Sequence, residues 1–232
     1  MQYYSAKLLF LDGQSIENGN EALKGKVILD MGCGDGESSR TAARFGASVT
    51  GYDASAKQIE TAIQKEEAEP LGIKYYTSEH PDISTNKKFD MVSSIMVLPC
   101  AVDKKQLGEM FVDAFSSLKE GGKFVGETLN PKFNRYGETI CNRRFIWKEN
   151  SSNTEIKFIN IDFVNDQGGT DMSITDAYFS EEDVEQAAKD AGFKNFEWIT
   201  MEIDPADIQK NGEEFWEEYN KDPFYICFRA QK

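Results

Sequence analysis

Between Lys26 and Pro131 two hydrophobic rhythms alternate. Short continuous apolar runs ("KVILDMG", "ASVTGYD", "IKYYTSE", "FDMVSSIMVL" and "KFVGETLNP") predict five buried strands. The segments "SSRTAARFG", "SAKQIETAIQKEEAEP" and "DKKQLGEMFVDAFSSLKEGG" separate them with apolar residues three and four apart, the period of an amphipathic helix. Pro70 stops the second helix, and the pair Gly121–Gly122 is expected to stop the third. Repeated strand–helix–strand units of this size predict a parallel sheet with helices on both faces.

Beyond Pro131 the rhythm changes. "RRFIWKE", "EIKFINIDFV" and "MSITDAYF" predict short antiparallel strands joined by polar turns such as "NDQGGT". A helix over "SEEDVEQAAKDAGF" follows, then strands over "FEWITMEI" and "FYICFRAQ". No composition break, repeat or low-complexity tract divides the chain. The expectation is one domain: an N-terminal lid over 1–25, a ligand-binding core over 26–130, a capping insertion over 131–179, and the rest of the sheet over 180–232.

At 232 residues the chain is long enough for one full-sized core. Its apolar runs fall far short of the roughly 20 residues of a membrane span, and "MQYYSAKLLFLDGQ" lacks a basic n-region and a cleavage site. Cys33, Cys100, Cys141 and Cys227 form no C-x-x-C pair, and His80 is the single histidine. These features predict no metal site, reduced thiols and a cytoplasmic location. The net charge of -14 disfavours nucleic acid as a partner. Fourteen acidic residues against four lysines lie between Glu181 and Asp222, a pattern expected of a solvated acidic surface.

The candidate chemistry begins at "VILDMGCGDG", residues 27–36. Glycines directly after a first strand let the backbone turn tightly and come close to a ligand at the strand tips. A dinucleotide loop wants G-x-G-x-x-G/A. Here Gly32 and Gly34 fit, but the third glycine is Gly36, and the position that needs a small residue is Glu37, a poor neighbour for a pyrophosphate. Asp53 ends the second strand 17 residues beyond Gly36, where a carboxylate can accept hydrogen bonds from two ribose hydroxyls. With Asp30 ahead of the loop, the set predicts a nucleoside carrying a cationic amino-acid tail.

"VILDMGCGDG", "GASVTGYDAS", "FDMVSSIMVL" and "LKEGGKFV", in this order, resemble the class I S-adenosylmethionine-dependent methyltransferases over residues 26–131. The resemblance implies a Rossmann-like α/β fold: a mostly parallel seven-stranded sheet with a small antiparallel insertion after strand five. It implies S-adenosyl-L-methionine as cofactor and S-adenosyl-L-homocysteine as product. Carried onto this chain, Asp30 lies near the methionine ammonium, Gly32, Cys33, Gly34 and Gly36 face the methionine portion, and Asp53 holds the ribose. Glu79 contacts the adenine amino group, Ala54, Gln58 and His80 flank the adenine, and Ser94, Ile95 and Met96 line the pocket floor. "LNPKFNRYGETICNRRFIW" and "GEEFWEEYNKDPFYICF" are further similar to the toxoflavin-synthase-like branch, which methylates ring nitrogens of a pteridine-like heterocycle.

Methyl transfer from a sulfonium is an in-line displacement at an already activated carbon. The protein's task is mainly to position the acceptor and exclude water, with a base needed only when the acceptor arrives protonated. Glu127 and His80 are the candidate bases. Tyr3, Tyr4, Phe133, Tyr136, Trp147 and Tyr178 are candidates to sandwich a planar acceptor, and Arg135, Arg143 or Arg144 to orient it. The expected function is N- or O-methylation of a small planar acceptor by a monomer or homodimer, with no nucleic-acid or membrane partner. The alternatives are a protein methyltransferase, a non-catalytic cofactor-binding regulator and, disfavoured by Glu37, a nicotinamide dehydrogenase.

Overall fold

A computed structural model describes residues 23–77, 88–148, 155–200, 203 and 205–232. The main sheet holds seven strands: β1 (Val27–Met31), β2 (Ser48–Asp53), β3 (Lys74–Thr77), β4 (Phe89–Ile95), β5 (Leu118–Leu129), β10 (Lys194–Ile199) and β11 (Tyr225–Gln231). Their spatial order is β10-β11-β5-β4-β1-β2-β3. The first five strands run parallel, and β11 lies antiparallel between β5 and β10. This is the mostly parallel Rossmann-like sheet expected of the methyltransferase fold.

Alternation along the strands builds two cores, one on each face. Ile28, Met91, Val125 and Cys227 enter one cluster with Ala42 of helix α1 (Glu37–Arg44). Their immediate neighbours Leu29, Val92, Phe124 and Phe228 enter the other, with Leu107 and Phe111 of α3 (Lys104–Ser117) and Val184 of α4 (Glu181–Ala191). Strand side chains alternate faces, so continuous apolar runs are what a sheet covered on both sides requires. In the second cluster Phe111, Phe124, Phe193 and Phe228 make edge-to-face, tilted and stacked contacts at 5.1–6.2 Å between centroids, each burial worth roughly 1.5–3 kcal/mol.

Helix α2 (Ala56–Ala68) crosses from β2 to β3; Ser55 caps it, its hydroxyl accepting from the Gln58 N–H. The four-stranded antiparallel sheet, β6 (Thr139–Ile140), β7 (Arg143–Lys148), β8 (Lys157–Val164) and β9 (Thr170–Tyr178), falls within the span expected of the insertion. Its apolar face, with Phe145, Ile159 and Ile161, joins the first core cluster and covers the main sheet beside β5 and β11.

Two elements differ from the sequence reading. The helix before β5 ends at Ser117, and Gly121–Gly122, expected to stop it, lie inside β5. There the Gly121 N–H donates to the Lys232 carbonyl and the Lys232 N–H to that of Gly122, while the pairing of β5 with β4 shifts register, so the glycines sit at a bulge facing β4. The second difference is a helix pair, α5 (Pro205–Asn211) and α6 (Glu213–Lys221), in the acidic segment. Trp216 and Tyr219, three apart and buried, are the inner face of α6; its acids mask so short an apolar stripe.

Candidate functional site

Strand order reverses at β1, which pairs with β2 on one side and β4 on the other, so a crevice opens at their C-terminal ends. The glycine loop crosses that crevice. Gly32 has φ +66°, and a Cβ there would sit 2.4 Å from Val97 Cγ2. Gly34, at φ +54°, would direct a Cβ into open space, with no heavy atom within 4 Å. The first glycine therefore packs the loop beneath the turn after β4, while the second leaves backbone bare toward the crevice. Gly36 closes the loop, its carbonyl accepting from the Tyr75 hydroxyl at 3.3 Å.

Asp53 stands at the tip of β2, half-buried. Its Oδ2 accepts from the Gly34 N–H at 2.9 Å and its Oδ1 from the Ser55 N–H at 2.8 Å. Each oxygen retains a further lone pair, so the carboxylate can still accept from a pair of hydroxyls. Ala54 and Gln58 are exposed beside it.

Asp30 points the other way. It is 1 % exposed, and its carboxylate accepts from Ser38 Oγ (2.6 Å), Ser39 Oγ (2.6 Å) and Ser93 Oγ (2.7 Å). Burial pushes its carboxyl above the usual range, partly countered by the three serine hydroxyls. The residue thus ties β1, α1 and β4 together behind the loop. Cys33 is buried, its thiol pushed far up by burial and then by the charges of Asp30 and Asp53, which leaves it un-ionised. Glu37 pairs with Lys65 of α2, which also holds Asp35 at 2.7 Å, so both acids of the loop end are anchored.

On the other side of the crevice Ser94 and Ile95 are buried near the end of β4. Met96 follows with φ +58°, and its N–H donates to the Glu127 carbonyl at 2.9 Å. A non-glycine residue in the left-handed region at a strand tip stores strain of the kind found at ligand sites. Glu127 is 1 % exposed on β5, between Ile95 and Cys227, and is not a solvated carboxylate.

The aromatic candidates of the insertion form one chain of ring contacts. Tyr178 meets Trp147 at 5.2 Å, Trp147 meets Tyr136 at 4.5 Å, and Tyr136 meets Phe133 at 5.4 Å. Phe133 is itself core, packed on Phe145 at 5.0 Å. Arg135 leaves this group for Glu138 and for Glu218 of α6, at 2.8 Å from the latter. Arg144 pairs with Asp162 at 3.0 Å, and the Arg143 guanidinium lies 4.2 Å from the Phe163 ring centroid. Tyr3, Tyr4, Glu79 and His80 lie outside the described residues. Among the described residues no cluster of three or more His, Cys, Asp or Glu can hold a metal ion, and no helix is long and apolar enough to cross a membrane.

Sequence reasoning passed over Asp176 and Tyr225. Asp176 is buried on β9, and burial raises its carboxyl to about 6. The signal lay in "MSITDAY": Met172, Ile174, Asp176 and Tyr178 share one strand face, and an acid among them is out of pattern.

Residues 28–122 match the family model described as a methyltransferase domain. A ubiquinone biosynthesis O-methyltransferase of Coxiella burnetii is 32 % identical over 126 residues, 54 % of this chain and 53 % of that protein. The chain thus spans about half the length of the curated relatives it matches. An S-adenosylmethionine-dependent methyltransferase from Clostridium acetobutylicum superposes with a TM-score of 0.62 at 18 % identity, over 98 % of this chain and 91 % of that one. CalS10 of Micromonospora echinaspora, an amino pentose methyltransferase solved with S-adenosylmethionine bound, gives 0.60 at 16 % identity over 89 % and 83 %. The glycine-loop segment is thus similar to the methyltransferase domain, and the chain as a whole has the fold of the S-adenosylmethionine-dependent methyltransferases it superposes on.

Proposed function

We propose that this chain transfers the methyl group of S-adenosylmethionine to an oxygen or nitrogen of a small planar acceptor. The observation that carries the reading is the Asp53–Gly34 pair: a strand-tip carboxylate with lone pairs to spare, bonded to a glycine whose Cβ position is empty space. A ribose and an amino-acid tail need that combination of acceptor and bare backbone, so the residues fit the cofactor. Asp53 would hold the ribose hydroxyls, the backbone around Gly34 the methionine portion, and Ala54 with Gln58 the adenine edge. Asp30, caged by three serines, fixes the loop that the ligand meets. When bound, the cofactor supplies a methyl group made electrophilic by the sulfonium.

The chain's own work is then to orient an acceptor and exclude water. The cap sheet over β5 and β11 supports a small acceptor, because its aromatic chain from Phe133 to Tyr178 offers flat faces. The relatives' name specifies methylation at oxygen, which supports a hydroxyl among the possible targets.

Calorimetry tests the reading directly. S-adenosylhomocysteine is expected to bind and NAD to give no heat; the reverse would sink it. Asp53→Ala is expected to weaken S-adenosylhomocysteine more than tenfold, about 1.4 kcal/mol. Unchanged affinity would remove the ribose from Asp53.

A further inference from the structure

We propose that Asp176 is the proton acceptor of the methyl transfer, and that the acceptor molecule is therefore a phenol that arrives protonated and is methylated at oxygen. The inference rests on the function proposed above.

The first support is placement. Ile174 and Tyr178, which share Asp176's face of β9, both pack against the same core cluster as Met96 and Tyr225. The Tyr178 hydroxyl donates to the Pro131 carbonyl at 2.7 Å, pinning this end of β9 over the end of β5. The strand also packs against the turn at Leu98–Cys100 that follows β4. Asp176 is thus held between the ends of β4 and β5, on the acceptor side of the crevice.

The second support is its surroundings. Asp176 is 9 % exposed, and among the described residues burial alone, with no hydrogen bond or charge partner, shifts its carboxyl. Opposite it on β8 stands Ile159. Lys157 of β8 directs its ammonium at the Trp147 ring, 5.2 Å from the centroid. Cys100, on the turn after β4, has its thiol raised by desolvation first and then by the charges of Asp176 and Asp53, so both carboxylates lie within electrostatic reach of that turn. Tyr225 of β11 has its hydroxyl raised by burial, and it lies within electrostatic reach of Arg143, Glu127 and Asp176. A buried carboxylate without a partner is costly, and such groups cluster at functional sites. Its raised affinity for protons, to about 6, matches a base working near neutral pH.

In the step, the acceptor oxygen forms the new bond to the methyl carbon with its own electron pair. The carbon–sulfur bond breaks and its pair stays on sulfur, while the phenolic proton moves to Asp176 and from there to water. No further reactant is needed.

The test compares two phenols on wild type and Asp176→Asn. Catechol holds its proton at neutral pH; 4-nitrocatechol is ionised there and needs no base. Asp176→Asn is expected to lower kcat for catechol at least about 100-fold and that for 4-nitrocatechol less than tenfold. S-adenosylhomocysteine affinity is expected to stay within twofold, which also shows the variant folded. Asp176→Glu should restore part of the catechol rate. A binding readout independent of turnover is the visible spectrum of 4-nitrocatechol on the S-adenosylhomocysteine complex. Its ionisation should occur at higher pH on wild type than on Asp176→Asn. Equal losses with both phenols, no loss with catechol, or identical spectra would overturn the proposal. So would S-adenosylhomocysteine binding with neither phenol bound. Failure of wild type to bind S-adenosylhomocysteine would instead overturn the methyltransferase reading.

Discussion

Asp30 and Asp176 are both carboxylates taken out of water, in the glycine-loop half and in the cap respectively. Asp30 receives three serine hydroxyls from α1 and β4, and Asp176 receives nothing from the described residues. The difference extends to their surroundings. The loop half is locked by polar links: Lys65 holds Asp35 and Glu37, and Arg40, 3 % exposed, joins α1 to Glu66 and Glu69 at the end of α2. The cap is held mainly by edge-on and tilted rings. Directional bonds hold a loop whose backbone must meet a ligand at fixed positions, whereas aromatic packing tolerates a variable occupant.

The largest expected effect comes from removing the cage. Asp30→Ala orphans Ser39 and Ser93 in the core, and should cost roughly 3 kcal/mol in urea denaturation. Full stability with only S-adenosylhomocysteine binding lost would make Asp30 a ligand contact and erase the contrast with Asp176.

A middle-sized effect is expected from Asp176→Asn, and it depends on pH. A carboxyl whose folded value is raised costs the fold nothing below its unfolded value of 3.8, and its charging cost grows to completion near 6. The variant should match wild type at pH 3.5, gain on it steadily between pH 4 and 6, and stay more stable at pH 7.5. Urea midpoints at these pH values would show it. A gap independent of pH would mean that the carboxylate is paired after all.

The smallest expected effect is at Arg44, which meets Glu69 at 2.8 Å with both side chains about half exposed. Arg44→Ala should leave the urea midpoint within error, since exposed pairs contribute little. A clear loss would mean that the polar lock of this half extends to its surface.

Much of the loop half is legible along the chain because its pieces are local. Strand, glycine loop, helix and strand-tip acid follow within 27 residues from Val27 to Asp53, and each has its own pattern. What the residue types did not reveal is direction: Asp30 and Asp53 are both strand-end acids, and only the packing of Ser38, Ser39 and Ser93 turns the first inward. The acceptor side was less readable. Its parts come from β4, β5, β7, β9 and β11, and Asp176 comes within electrostatic reach of Cys100 and Tyr225 only in the folded chain.

Alternation of apolar runs and helical periods by itself determined the parallel strands β1 to β5, the glycine loop at their tips and the antiparallel character of the insertion, because these depend on neighbours in the chain. The tertiary structure decided three things: the insertion of β11 between β5 and β10, the burial of Trp216 and Tyr219 in an acidic stretch, and the bare carboxylate of Asp176. Each depends on which distant surfaces meet and exclude water, and that is a property of the packed chain rather than of any stretch of it.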